Sequence, residues 1–186
     1  MTKKALIAIA DGSEDLETVT MIDVLRRAEI EVTVASVQEL KVTCSRGTKL
    51  EADTTIGHCL NNQYDLVAIP GGLPGADNLR QSGKLKELLL KQRDSNRYHA
   101  AICAAPALVF KPHGLLESKK ATCYPAFSEK LENSFSDSST VIVDGFCVTS
   151  QGPGTALDFS LKLVELLVGK EKAQEIAEAM LYEYSQ

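Results

Sequence analysis

The run His99-Ala100-Ala101-Ile102-Cys103-Ala104-Ala105-Pro106 decides how the rest of the chain is to be read. A short apolar strand leads straight into a cysteine and then into an apolar helix, so the thiol stands where a buried strand turns sharply. Comparable runs precede it. Residues 4–10 end in Asp11-Gly12-Ser13, residues 31–37 form a second strand-like run, and Leu66–Ile69 is continuously apolar and closes on Pro70-Gly71-Gly72. Continuous apolar strands point to a parallel sheet covered on both faces. Helical spacing lies between them, through Leu16, Val19, Ile22 and Leu25, and through Leu85, Leu88 and Leu89 within residues 79–92.

Working outward, residues 40–54 alternate around Val42, Cys44 and Leu50 with Gly47 at the turn, which predicts a hairpin-like excursion. Val141-Ile142-Val143 and residues 146–149 read as two strands joined at Asp144-Gly145, preceded by a polar loop at 133–139. Helices over 155–168, ended by Gly169, and over 171–182 close the chain. Repeated strand–helix alternation of this kind predicts an α/β fold: an open, mainly parallel sheet between helix layers, with active groups at the carboxyl ends of the strands. No repeat or linker divides residues 1–186, which are read as one domain.

Hydrophobic residues at 44% and charged residues at 24% are ordinary globular values. The net charge of −5 and the scattered lysines and arginines argue against electrostatic nucleic-acid binding. Apolar runs break within about ten residues, against the roughly 20 a membrane span needs, and the short run after Lys3 and Lys4 lacks the features of a signal peptide. Five cysteines without close pairing fit a reducing compartment, so a cytoplasmic protein is expected. The three histidines have no ligand spacing with the cysteines, and neither a metal nor another cofactor is expected.

The chemistry converges on a few residues. Cys103 would face the amino end of the following helix, whose free N–H groups favour a thiolate and can hold an oxyanion; the plainer alternative is a buried packing cysteine. Gly71 and Gly72 end a neighbouring strand and offer bare N–H donors, where a phosphate loop would need a Gly-Lys-Ser/Thr ending. Glu14 and Asp15 complement the helix dipole. Glu17, beside Leu16, can turn inward and share a proton with the thiol, because adjacent anions resist ionising together. Ser150-Gln151-Gly152-Pro153-Gly154-Thr155 is either a plain turn with Thr155 as helix cap or part of the pocket mouth, contributing Gly152 and Pro153. Cys44, Cys59, Cys123 and Cys147 read as packing residues, with Cys44 open to exposure and oxidation; His58 and His113 read as surface or satisfied core groups.

Taken in order, Glu17, Pro70-Gly71-Gly72, Ala101-Ile102-Cys103-Ala104-Ala105-Pro106 and Thr149-Ser150-Gln151-Gly152-Pro153-Gly154-Thr155 resemble the ThiJ/PfpI superfamily, and within it the branch of the Parkinson-disease-associated deglycase. Asp23-Val24-Leu25-Arg26-Arg27 and Cys44-Ser45-Arg46 extend the likeness almost end to end. The resemblance implies a flavodoxin-like three-layer sandwich, a homodimer, an easily oxidised Cys103 nucleophile, Glu17 as its acid, and an oxyanion site from Gly72 and Ala104. It also implies a cofactor-independent glyoxalase or deglycase acting on small aldehydes or glycated substrates. A redox sensor or chaperone-like binding protein is the alternative, and a thiamine-pathway role has no thiazole or phosphate signature. Two departures stand out: Tyr124 occupies a place where several relatives carry histidine, and Ala104 one where the protease branch does. A phenol with a reference pKa of about 10 is no neutral-pH base, so Tyr124 would position substrate while Glu17 moves protons.

Overall fold

The computed structural model describes residues 2–136 and 139–184. Its frame is a sheet of β1 (Lys4–Ile9), β2 (Glu31–Ser36), β5 (Thr54–Thr55), β6 (Leu66–Ile69), β7 (Tyr98–Ile102), β8 (Val141–Asp144) and β9 (Cys147–Ser150), in the spatial order β5-β2-β1-β6-β7-β9-β8. Every pairing is parallel except β8 with β9, the hairpin expected at Asp144-Gly145. Residues 5–9, Leu66–Ile69 and 100–102 are almost wholly buried, as strands covered on both faces must be. On one face lie α1 (Asp15–Arg27), α5 (Ala156–Val168) and α6 (Lys170–Ala179); on the other lie α2 (Ile56–Cys59), α3 (Gly75–Gln81) and α4 (Gly83–Asp94). This is the flavodoxin-like α/β sandwich.

The strand order reverses between β1 and β6. After β1 the chain moves outward to β2 and β5, then crosses back to β6, β7 and β9. Loops leaving β1 and β6 therefore part to either side, and a crevice opens at their carboxyl ends. The loop from β7 is its third wall.

Local chemistry sets the element boundaries. Glu14 caps α1, its carboxylate accepting from the Glu17 amide at 2.7 Å, while Arg26 and Arg27 face the negative end of the helix dipole. The single helix expected over 79–92 is two helices. Ser82 leaves helical geometry (ψ 102°) and its hydroxyl caps α4 through the Leu85 amide at 3.3 Å. The excursion at 40–54 contains an antiparallel pair, β3 (Lys41–Thr43) with β4 (Lys49–Glu51), separate from the main sheet. The helix expected after Cys103 is a short π-helix over Pro106–Phe110. Part of the expected 133–139 loop continues a 3-10 helix over Pro125–Ser134, and residues 137–138 of it fall outside the described residues. The last helix stops at Ala179, short of residue 182.

Three expectations about minor groups need correction. Cys44 is buried, with the thiol pushed up to about 11 by burial and then by Asp15, so it is not an exposed oxidisable group. His113 keeps a buried Nε2 without a partner among the described residues. Thr155 makes no side-chain cap; its hydroxyl accepts from the Gly152 amide at 3.1 Å and lies 2.7 Å from the Ser150 hydroxyl, closing the turn instead.

Candidate active site

Cys103 is the first residue beyond β7, and its backbone adopts φ 65°. That left-handed conformation is unfavourable for a side-chain-bearing residue by about 1–3 kcal/mol and must be held by its surroundings. Three contacts hold it. The Cys103 amide donates to the Ser150 carbonyl of β9 at 3.0 Å, the Tyr124 amide donates to the Cys103 carbonyl at 2.7 Å, and Gly71 packs beneath. A Cβ on Gly71 would lie 2.7 Å from Cys103 Cβ and 2.8 Å from the Ala104 nitrogen, so only glycine permits this approach. Gly72, at φ 85°, lies so close to the Gly12 carbonyl and the Glu14 amide that a side chain there would collide with both.

Glu17 is fully buried, in the first turn of α1. Its Oε2 accepts from the Gly71 amide at 2.8 Å, while Oε1 has no hydrogen-bond partner among the described residues. Burial pushes the carboxyl up to about 7; the Gly71 amide and the Cys103 thiol pull the other way, and Glu14 adds repulsion. Burial, followed by the charge of Glu17, pushes the thiol up to about 12, against hydrogen bonds from the Gly72 and Ala104 amides. The two values describe one coupled pair that gives up a first proton near 7 and keeps the second into strongly alkaline solution. Between these values the pair carries a single negative charge. The Gly72 and Ala104 amides act on the sulfur and lower the cost of its ionisation, although burial and Glu17 outweigh them.

Cys103 opens into a cleft of about 400 Å³ lined by Gly72, Leu73, Ala104, Tyr124, Phe127 and Pro153, with Glu14, Ser45 and Arg46 on the hairpin side. Of the residues expected to act on substrate, Gly72, Ala104, Tyr124 and Pro153 lie here. Gly71 does not offer a free donor, because its amide is taken by Glu17; it positions the acid rather than the oxyanion. Gly152 sits behind Tyr124, where an added Cβ would be 3.4 Å from the ring. Leu73, Phe127 and Arg46 were not expected as lining residues. Phe127 had a local signal, three residues beyond Tyr124, and its ring centroid lies 6.4 Å from that of Tyr124. Arg46 is brought in by a hairpin that sequence cannot place in space.

A strained cysteine at a strand–helix elbow, beside a buried carboxyl and two amides at the crevice of a flavodoxin-like sheet, defines a cysteine-centred α/β protein. Comparison with known proteins agrees: the DJ-1/PfpI family model matches residues 3–166, and the chain belongs to that family. It is 48% identical over 181 residues to protein DJ-1 homolog B of Arabidopsis thaliana, covering 97% of this chain but 41% of the relative's length. It is 34% identical to the glutathione-independent glyoxalase DJR-1.2 of Caenorhabditis elegans, covering 94% of each. Among solved structures, oxidized Toxoplasma gondii DJ-1 superposes with a TM-score of 0.96 at 43% identity, covering 98% of this chain and 100% of that one.

Proposed function

We propose that the protein is a cofactor-independent enzyme that converts methylglyoxal or glyoxal to the hydroxy acid, and that the same chemistry releases early glycation adducts. The observation that carries this reading is the buried Glu17 beside Cys103, with its carboxyl raised to about 7. A group titrating near neutrality can both give and take a proton at the reacting carbon. The thiolate adds to the aldehyde carbon, and the resulting alkoxide, facing the Gly72 and Ala104 amides, takes the proton of Glu17. Glu17 carboxylate then removes the hydrogen on that carbon to give an enediolate and returns it to the former ketone carbon, while the proton on the former aldehyde oxygen passes to the neighbouring oxygen as the thioester carbonyl forms. The product is a thioester of lactate, which water cleaves to lactate and free thiol. The C. elegans relative named as a glutathione-independent glyoxalase supports the same reaction class.

Metal-stripped protein incubated with methylglyoxal should form lactate as aldehyde is lost, and Cys103→Ser should reduce that rate at least about 100-fold. Normal lactate formation by the serine variant would refute the mechanism.

A second reading is supported by the same neutral acid and paired amides, which would stabilise a sulfinate formed from Cys103 and hydrogen peroxide. That reading predicts thiol loss to mild peroxide much faster than for free cysteine, with negligible turnover of aldehyde.

We also propose that the protein acts as a homodimer. Leu16 and Val19 are 51% and 46% exposed on α1, an apolar face that a second copy would cover. Light scattering should give about twice the chain mass of 20.1 kDa, and Val19→Glu should lower it toward one chain.

A further inference from the structure

The six arginines of the chain are not equivalent. Arg26 pairs with Asp53, Arg27 with Asp23, Arg80 with Asp77 and Arg93 with Asp94, while Arg97 donates to the Gln63 side chain. Arg46 differs: among the described residues its guanidinium has neither an ion pair nor a hydrogen bond. Its backbone, by contrast, is fixed. The Asp15 carboxylate accepts from the Arg46 amide at 2.7 Å and the Thr48 amide at 2.9 Å, with the Ser45 hydroxyl at 3.4 Å. The Ser45 amide donates to the Ser13 carbonyl at 2.8 Å, tying the hairpin turn to the loop that leads into α1 and Glu17. A fixed turn therefore places Arg46, an exposed residue whose guanidinium is unpaired among the described residues, in the lining of the cleft that holds Cys103.

The size of the cleft adds a second constraint. About 400 Å³ is far more than methylglyoxal fills, so a substrate with a longer second arm is accommodated. Glu14, the carboxylate lining the same cleft, already has Oε2 on the Glu17 amide. A guanidinium matches a carboxylate with paired N–H donors, and a partly enclosed cleft weakens solvent screening.

We infer that Arg46 is the residue that determines substrate specificity in this cleft, binding the carboxylate of an α-oxoaldehyde whose aldehyde carbon is attacked by Cys103. The inference rests on the reading of Cys103 as nucleophile. A carboxylated α-oxoaldehyde such as 4,5-dioxopentanoate fits the class, and addition of water across the reaction converts it to 2-hydroxyglutarate.

Two reagents of nearly equal size test the recognition without turnover. Iodoacetate and iodoacetamide each form an S–C bond at Cys103 as iodide departs, and differ in charge. With each rate referred to that of free N-acetylcysteine, the iodoacetate-to-iodoacetamide ratio should fall about fivefold in Arg46→Gln and be largely kept in Arg46→Lys. In the unmodified protein the ratio should also fall as salt rises from about 0.01 M to about 1 M, which needs no variant to fold. The ratio of kcat/KM for 4,5-dioxopentanoate to that for methylglyoxal should drop in Arg46→Gln through KM. An alkylation ratio indifferent to both Arg46 and salt overturns the inference even in an active enzyme. Cys103 inert to both reagents overturns it together with the nucleophile. Absence of turnover with both substrates removes the glyoxalase reaction while the alkylation ratio still decides the role of Arg46.

Discussion

At the scale of single residues, the proton inventory of Glu17 and Cys103 governs reactivity. Below about pH 7 both groups are protonated; above it the pair carries one negative charge, and reaction requires that a proton pass from the thiol to Glu17. The kcat/KM for methylglyoxal should therefore rise as pH passes about 7 and then level off. Glu17→Gln should abolish that inflection and lower kcat at least about 100-fold, measured as lactate formation across pH. An unchanged profile would show that the titrating group lies elsewhere. Burial is what makes Glu17 unlike Asp15. Burial also opposes ionisation of Asp15, but hydrogen bonds from Thr48 and Arg46 outweigh it and hold that carboxyl below its usual range.

At the scale of elements, the site depends on how closely three loops can approach. The β6 loop passes under Cys103 with no room for a side chain at Gly71. Gly71→Ala should cost about 1–3 kcal/mol by urea unfolding and slow Cys103 alkylation by iodoacetamide, because either the elbow or the Glu17-binding amide must move. Gly154→Ala is the matched control: nothing lies within 4 Å of a Cβ there, and a change within about 0.5 kcal/mol is expected. Equal behaviour of the two variants would show that the elbow yields freely.

At the scale of the whole molecule, buried titratable groups set the pH dependence of stability. Burial lowers His99 to about 4; its Nδ1 donates to the Arg97 carbonyl at 3.2 Å, and its Nε2 has no partner among the described residues. The unfolded chain binds that proton more readily, so this contribution is lost as pH falls from about 6.5 to about 4. Glu17 acts in the opposite sense. Its folded value, about 7 against 4.5, means that the folded protein holds the proton, and stability is lost as pH rises between those values. Each displacement is worth about 3 kcal/mol. The two oppose one another over much of the acid range. Relative to the wild type, Glu17→Gln should gain stability steadily from pH 4.5 to pH 7, by about 3 kcal/mol in denaturant titrations. A difference independent of pH would contradict the assigned burial.

The continuous apolar runs at 4–10 and Leu66–Ile69, the small residues around Cys103 and the Asp144-Gly145 turn were enough to determine an α/β sheet and the placing of Cys103 after β7. Such signals are local, because strand burial and turn chemistry are written in neighbouring residues. The break at Ser82 is also local, but the helical spacing on either side of it runs through unbroken and hides it. What residue order could not supply is which loops meet. That Gly71 gives its amide to Glu17 follows from the reversal of strand order between β1 and β6; that Gly152 stands behind Tyr124 and that Arg46 lines the cleft of Cys103 follow from how the chain after β9 and the β3–β4 hairpin fold back toward it. Only the tertiary structure decides these, because the raised Glu17 carboxyl and the strained Cys103 backbone are produced by groups distant in sequence and brought together by the closing of the core.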